Sequence, residues 1–145
     1  MDSGNFFNEA KAAQFAGRLV LTLNDAATAL MISIGHRTGL FDAMADLPSS
    51  GVGRIAEASG QNEPYVKEWL GATVTAKIAD YDAQEETYRL PKEHAAFLTR
   101  PSAPNNLAAM AQYIPLLGAV EDKIIECFRN GGLSYADFPR FHFIV

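Results

Sequence analysis

Three histidines, one cysteine and one glycine-spaced turn are the residues of this chain whose types could carry chemistry. His36, His94 and His142 suit a zinc site or a general base, but zinc ligands recur at short spacing and these three are scattered. Cys127 stands between Glu126 and Phe128. A nucleophilic thiol needs an activating partner, and none is evident here, so a packed thiol is the expectation. Gly51-Val52-Gly53 opens a helix as a phosphate loop would, yet no strand precedes it and a third glycine is missing. No serine lies in a nucleophile elbow. Glu85-Glu86 is a carboxylate pair in a polar turn, where solvation is its simplest state. These patterns define no self-sufficient active site, and without βαβ alternation no home for a nucleotide-like cofactor is visible.

The elements that would position such residues are mainly α-helical. Val52, Ile55 and Ala56 fall at helical spacing, and Ala58-Ser59-Gly60 supplies a stop, with Gly60 suited to a left-handed C-terminal position. Asn62 offers an N-cap oxygen, Glu63 favours the positive helix end, and Pro64 is tolerated in the first turn. Tyr65, Trp69, Leu70 and Val74 then lie near one helix face. Residues 52–76 therefore read as a helix–turn–helix. Within 78–90, Ile78-Ala79-Asp80-Tyr81 and Thr87-Tyr88-Arg89-Leu90 are β-prone runs around a polar turn, closed by Pro91. The fold expected is a mainly α winged helix with a small two-stranded wing, a long N-terminal helix and extra C-terminal helices.

Charge discriminates between the two trades of such a fold. A DNA reader needs lysines and arginines on its docking face, because phosphate neutralisation supplies nearly all non-specific affinity. Between Asn62 and Thr75 the only basic residue is Lys67, beside Glu63 and Glu68, and the wing carries Asp80, Asp82, Glu85 and Glu86. The whole chain has a formal net charge of −5. A stand-alone winged-helix transcription regulator is the alternative reading, but a duplex would be repelled, and a protein-packing module fits better.

The flanks carry more apolar surface than a small winged helix covers. Residues 8–35 form a long helix with Phe15, Leu19, Leu23, Ala26, Leu30 and Ile34 three or four apart. Gly35 and Gly39 bracket its end, and Leu40–Met44 adds a brief second helix. An uncovered stripe of this length implies a partner, most simply a second copy. Beyond the wing, Lys92–Leu98 is a short helix and Pro101–Pro104 a rigid connector. Asn105 or Asn106 caps a run to Phe128, with Leu107, Met110, Ile114, Leu117, Ile124 and Phe128 as its stripe. Pro115 breaks this run near Tyr113–Gly118, which also turns Glu121 towards solvent; Gly131-Gly132 ends it. No apolar run reads as long enough to span a bilayer, and the start Met1–Asn5 lacks a secretory signal, so the cytoplasm is the expected location.

Five segments in collinear order carry a family resemblance: Leu30–Asp42, Asn62–Leu70, Tyr88–Leu98, Tyr113–Leu117 and Phe138–His142. They resemble the N-terminal part of S-adenosylmethionine-dependent methyltransferases that carry a winged-helix domain ahead of a Rossmann-like catalytic domain. The resemblance implies a dimerisation and substrate-side module over residues 1–100, then a helical connector or lid over 101–145. It implies S-adenosylmethionine for the full-length family, held on a glycine-rich loop that this chain does not reach, and so no cofactor and no methyl transfer by this chain alone. It implies a homodimer or a partner methyltransferase subunit, a small-molecule acceptor, and neither nucleic acid nor membrane. His36 and Arg37 at a helix end, Tyr113 at the break, and Arg140 with His142 are the acceptor-pocket candidates it suggests; helix-end charge complementation and ordinary packing remain their simpler roles. Lys77 departs from the pattern, standing where the family favours a small residue, often glycine.

Overall fold

Asn8 starts the first helix, its side chain accepting a hydrogen bond from the Lys11 amide at 2.9 Å. From there α1 (Glu9–Thr38) runs 30 residues. The computed structural model describes residues 6–132 and 134–137 of the chain. Gly39 ends α1 in a left-handed conformation, φ 76°, and the chain turns straight into α2 (Leu40–Asp46). The helix–turn–helix follows as α3 (Val52–Ser59) and α4 (Glu63–Thr75), with Gly60 left-handed between them. Strands β1 (Asp80–Asp82) and β2 (Thr87–Arg89) pair antiparallel, Tyr81 opposite Tyr88. After the wing come α5 (Lys92–Leu98), a 3-10 turn, then α6 (Leu107–Met110), α7 (Tyr113–Ala119) and α8 (Glu121–Asn130).

The core gathers where α1, α2 and α4 meet. Phe41, Ile55, Val66 and Leu70 are almost fully buried, each worth about 1.5–3 kcal/mol relative to exposure. Phe41 meets Trp69 edge-on with ring centroids 5.1 Å apart. Trp69 is core, as its sequence position suggests, and its Nε1–H donates to the Met31 carbonyl at 2.8 Å. This bond fastens α4 to the C-terminal third of α1. Gln61 adds a second tie, its Nε2 donating to the Thr38 carbonyl at the end of α1.

Several sequence expectations are corrected. The helix expected to end at 35 continues to Thr38, because Gly35 is a packing residue, buried against Phe41 and Trp69. Tyr65 leaves the apolar face of α4 and is 79% exposed; Val66 takes its place, since the buried face centres on Val66, Trp69, Leu70 and Thr73 and Tyr65 lies about 90° to one side of it. Asn62 holds the N-cap position but its side chain makes no capping bond. The wing gains a third segment, Ser50, which bridges Tyr88 through both backbone bonds. The run beyond Asn106 is three helices, broken at Ala111–Gln112 and at Val120, so Pro115 sits harmlessly in the first turn of α7. Its expected stripe faces outward: Leu107, Met110, Ile114, Leu117 and Phe128 are exposed, while Ala108, Leu116 and Val120 are buried. Glu121 is exposed, as expected.

One further correction concerns the bilayer. α1 is long and apolar enough to cross a membrane by length and composition, with a window of mean hydropathy 1.3. Its leucines and alanines outweigh Arg18, Asn24 and Asp25 in the average, although these polar residues interrupt the run. Its C-terminal third is nevertheless committed to the winged-helix core through Met31, Gly35 and Trp69.

Lys77 keeps the turn that glycine would favour. It stands at φ 60° between α4 and the wing, a left-handed conformation that costs an L-residue about 1–2 kcal/mol.

Candidate functional site

His36 and Arg37 lie in the last turn of α1, and two features shape their surroundings. Gly39 forces a sharp exit from the helix, and α6–α7 fold back against the same end. Asn106 seeds α6 by accepting from the Ala109 amide through Oδ1 at 3.3 Å. That bond fixes the amide orientation, leaving Nδ2 to face His36 Nδ1 at 3.4 Å. An amide N–H donates, so His36 Nδ1 must accept, which is the neutral Nε2–H tautomer. Burial lowers the pKa of His36 below 6.5; Arg100 lowers it further, and Asp42 partly opposes them. Asp42 in turn accepts from the Arg100 backbone amide at 2.8 Å and from its guanidinium. His36 is thus held by a structural network at the junction of α1, α2, the 3-10 turn at Arg100–Ser102 and α6.

Arg37 follows His36 on the helix, about 100° around the axis, and so faces elsewhere. It lines a groove of about 420 Å³ with Leu30, Ser33, Ile34, Thr38 and Pro115. This is a small, partly apolar recess with one guanidinium at its edge, suited to an apolar molecule carrying a polar or anionic group. Tyr113 lies half-buried in α7 but does not line the groove. Arg140 and His142 lie outside the described residues. Of the sequence candidates among the described residues, therefore, Arg37 lines the recess and His36 and Tyr113 do not. Leu30, Ser33, Ile34, Thr38 and Pro115 line the recess without having been site candidates, and of these Ser33 is 2% exposed. A serine inside the apolar run Leu30–Ile34 was the available signal for Ser33.

The remaining chemistry-bearing groups have structural settings. His94 Nδ1 lies 2.6 Å from the Ile78 carbonyl, where it must donate, and ties α5 to the base of the wing. Cys127 is half-exposed on α8. No cluster of three or more metal-ligating side chains occurs among the described residues. The winged-helix docking face stays poor in positive charge, and Arg89 on the wing is paired with Asp80 at 3.1 Å.

Among the described residues, the one glycine-spaced turn does not match an S-adenosylmethionine cradle. A Rossmann cradle needs a strand running into a glycine-rich turn beside a parallel neighbour. Gly51-Val52-Gly53 instead follows Ser50, which pairs with β2 antiparallel. That turn does not fit the cofactor.

A helix–turn–helix followed by a β wing, with a recess at a helix end and few basic residues on the docking face, defines a winged-helix module. The family described as the Rv2258c-like winged HTH domain matches residues 26–100, a little over half of the chain, and the chain belongs to it. No curated protein matches the chain in sequence. Its fold is similar to part of human N-acetylserotonin methyltransferase (ASMT) in complex with SAM, with TM-score 0.67 and 18% identity over 95% of this chain and 40% of that one. PigF with SAH gives TM-score 0.61 and 20% identity over 88% of this chain and 39% of that one. The mitomycin 7-O-methyltransferase MmcR gives 0.66 and 18% over 84% and 36%. The chain thus spans well under half the length of these solved structures, and its winged helix resembles a portion of methyltransferases rather than a whole one.

Proposed function

We propose that this chain is the dimerisation and substrate-side region of an S-adenosylmethionine-dependent methyltransferase. It pairs subunits through α1 and covers one side of a small-molecule acceptor site with the recess at the end of α1. The observation that carries this reading is a winged helix with an acidic wing whose flanking helices leave long apolar faces uncovered. Phe15, Leu19 and Leu23 on α1, and Leu117 and Phe128 on α7 and α8, are all exposed large apolar residues. Isolated exposed leucines are ordinary, but two contiguous helical faces of them mark interaction surfaces.

In this reading residues 1–100 form the pairing domain and 101–145 the connector that packs towards a catalytic domain. Arg37 contacts the acceptor, Tyr113, Arg140 and His142 are the further acceptor-pocket candidates, and His36 shapes the recess through Asn106. The partner is a second copy or a full-length methyltransferase subunit, the location is the cytoplasm, and neither nucleic acid nor membrane is engaged. The 145-residue chain binds no S-adenosylmethionine and transfers no methyl group by itself.

Isothermal titration of the chain with S-adenosylmethionine tests the last claim: no heat of binding is expected, and micromolar affinity overturns it. A gel-shift at low salt tests the other side, with tight, salt-sensitive retention of duplex the result that would restore DNA reading.

A further inference from the structure

The buried face of α1 does not stop where the core stops. Gly17, Leu21, Asn24, Thr28, Met31 and Gly35 follow one another at alternating spacings of four and three, the a/d pattern of a coiled-coil seam. At its C-terminal end this seam is spent inside the molecule, where Gly35 packs on Phe41 and Trp69 and the Met31 carbonyl accepts from Trp69. Towards the N-terminus the same seam runs bare: Leu21 is 63% exposed, and a Cβ built on Gly17 would meet nothing within 4 Å.

Between the two ends lies a groove of about 850 Å³, formed by α1 and α4. Asn24, Thr28 and Met31 from the seam form one wall, and Gly71, Ala72 and Thr75 from α4 form the other. Small side chains on both walls let another helix approach closely. The groove also carries Asp25 and Glu68 and no basic residue, so its occupant should be a helix bearing positive charge.

The first half of α1 has these properties. It is helical, largely exposed, has small residues at Ala10, Ala13 and Gly17 towards the seam side, and carries Lys11 and Arg18 against one carboxylate, Glu9. Arg18 and Asp25 are seven residues apart, on the same flank of the seam. In an antiparallel pair, residues of one flank meet the same flank of the partner, which brings opposite charges together in both copies. Resting on the pairing role proposed above, we infer that two chains associate with the first half of each α1 laid antiparallel along the α1–α4 groove of the other. The two-fold axis then passes between Leu21 and Thr22, with Arg18 of each copy opposite Asp25 of its partner.

A charge-swap series on the full 145-residue chain, followed by analytical ultracentrifugation, tests the register. The chain itself should sediment as a dimer. Arg18→Glu and Asp25→Arg should each raise the dimer dissociation constant at least about tenfold, since each sets like charges opposite in two places. The double variant R18E/D25R should return to within about threefold of the unmodified chain. Dimers that ignore both single changes, or a double variant that stays weak, overturn this register while leaving the pairing role standing. A chain that is monomeric at high concentration, or that partitions into phosphatidylcholine–phosphatidylglycerol vesicles as a monomer through α1, overturns both. A second measurement is independent of charge. In a Cys127→Ser background, Leu21→Cys should form an intermolecular disulfide on mild oxidation, whereas Ala10→Cys should not, because its two copies would lie about 34 Å apart along the helix at 1.5 Å per residue. Crosslinking at Ala10→Cys and not at Leu21→Cys would mean a parallel or displaced pair and would overturn the inference.

Discussion

Replacing Gly35 by alanine adds one methyl group at the most crowded point of the fold. An ideal Cβ there would lie 2.5 Å from Phe41 Cε2 and 2.6 Å from Trp69 Cζ2. Ordinary contact needs about 3.5–4.0 Å, so both rings, or the helix itself, must give by roughly 1 Å. Neither ring is free to do so. Phe41 is 1% exposed, and Trp69 is held by its bond to the Met31 carbonyl on the same helix that carries the new methyl. Overpacking of this kind costs about 1–3 kcal/mol, and the absence of any compliant neighbour argues for the upper half of that range. Against it stands the better helix propensity of alanine, worth about 1 kcal/mol in a helix interior. The net expectation for Gly35→Ala is a loss of about 1–2 kcal/mol. Urea unfolding at fixed protein concentration measures it, with fixed concentration required because association shifts apparent stability. Gly118→Ala is the control: it lies in α7 with nothing within 4 Å of a built Cβ, so propensity acts alone and stability should rise by up to about 1 kcal/mol. If Gly35→Ala is as stable as the unmodified chain, the wedge of α1 against the Phe41–Trp69 pair is not the tight joint described here.

Two further expectations test local features. Lys77→Gly should stabilise the chain by about 0.5–1 kcal/mol, because it relieves a left-handed strain of about 1–2 kcal/mol and adds a smaller chain-entropy cost, whereas Lys77→Ala should change little; a destabilised glycine variant in urea unfolding would refute the strain at φ 60°. His36 should titrate by NMR with a midpoint below 6.5, since burial and Arg100 disfavour its charged form. The unfolded chain then binds more protons below that pH, so the contribution of His36 to stability is complete above 6.5 and is lost as the pH falls through the folded value. That loss should accompany loosening of the Asn106 cap, because a protonated imidazole presents a donor to the Asn106 Nδ2 donor; a midpoint above 6.5 would contradict the geometry.

The order of elements was legible in the sequence because local rules govern it. Gly60 between two apolar-periodic runs, β-prone pairs around a polar turn, and Asn8 and Asn106 ahead of their helices are all signals that act within a few residues. The near absence of basic residues on the recognition helix likewise needed no structure to read. The long helix was found too, but not its end, since nothing local says that Gly35 is a packing contact rather than a stop. The site candidates fared unevenly for the same reason. Adjacent residues at a helix end look equivalent in sequence, yet the roughly 100° between them sends His36 into a network with Asn106, Asp42 and Arg100 and leaves Arg37 at the recess.

By itself, then, the sequence determined the winged-helix plan, its acidic character and the surplus of apolar helix surface, because periodicity, capping and charge are properties of neighbouring residues. Only the tertiary structure decided which side of each helix that surplus occupies. It turned Leu107, Met110, Ile114 and Phe128 outward and set a bare helical seam beside a small-walled groove. It also left Lys77 in a glycine's conformation. These outcomes depend on contacts between residues distant in the chain, such as Trp69 with Met31 and His36 with Asn106, which fix the rotation of each helix about its axis and which no local pattern encodes.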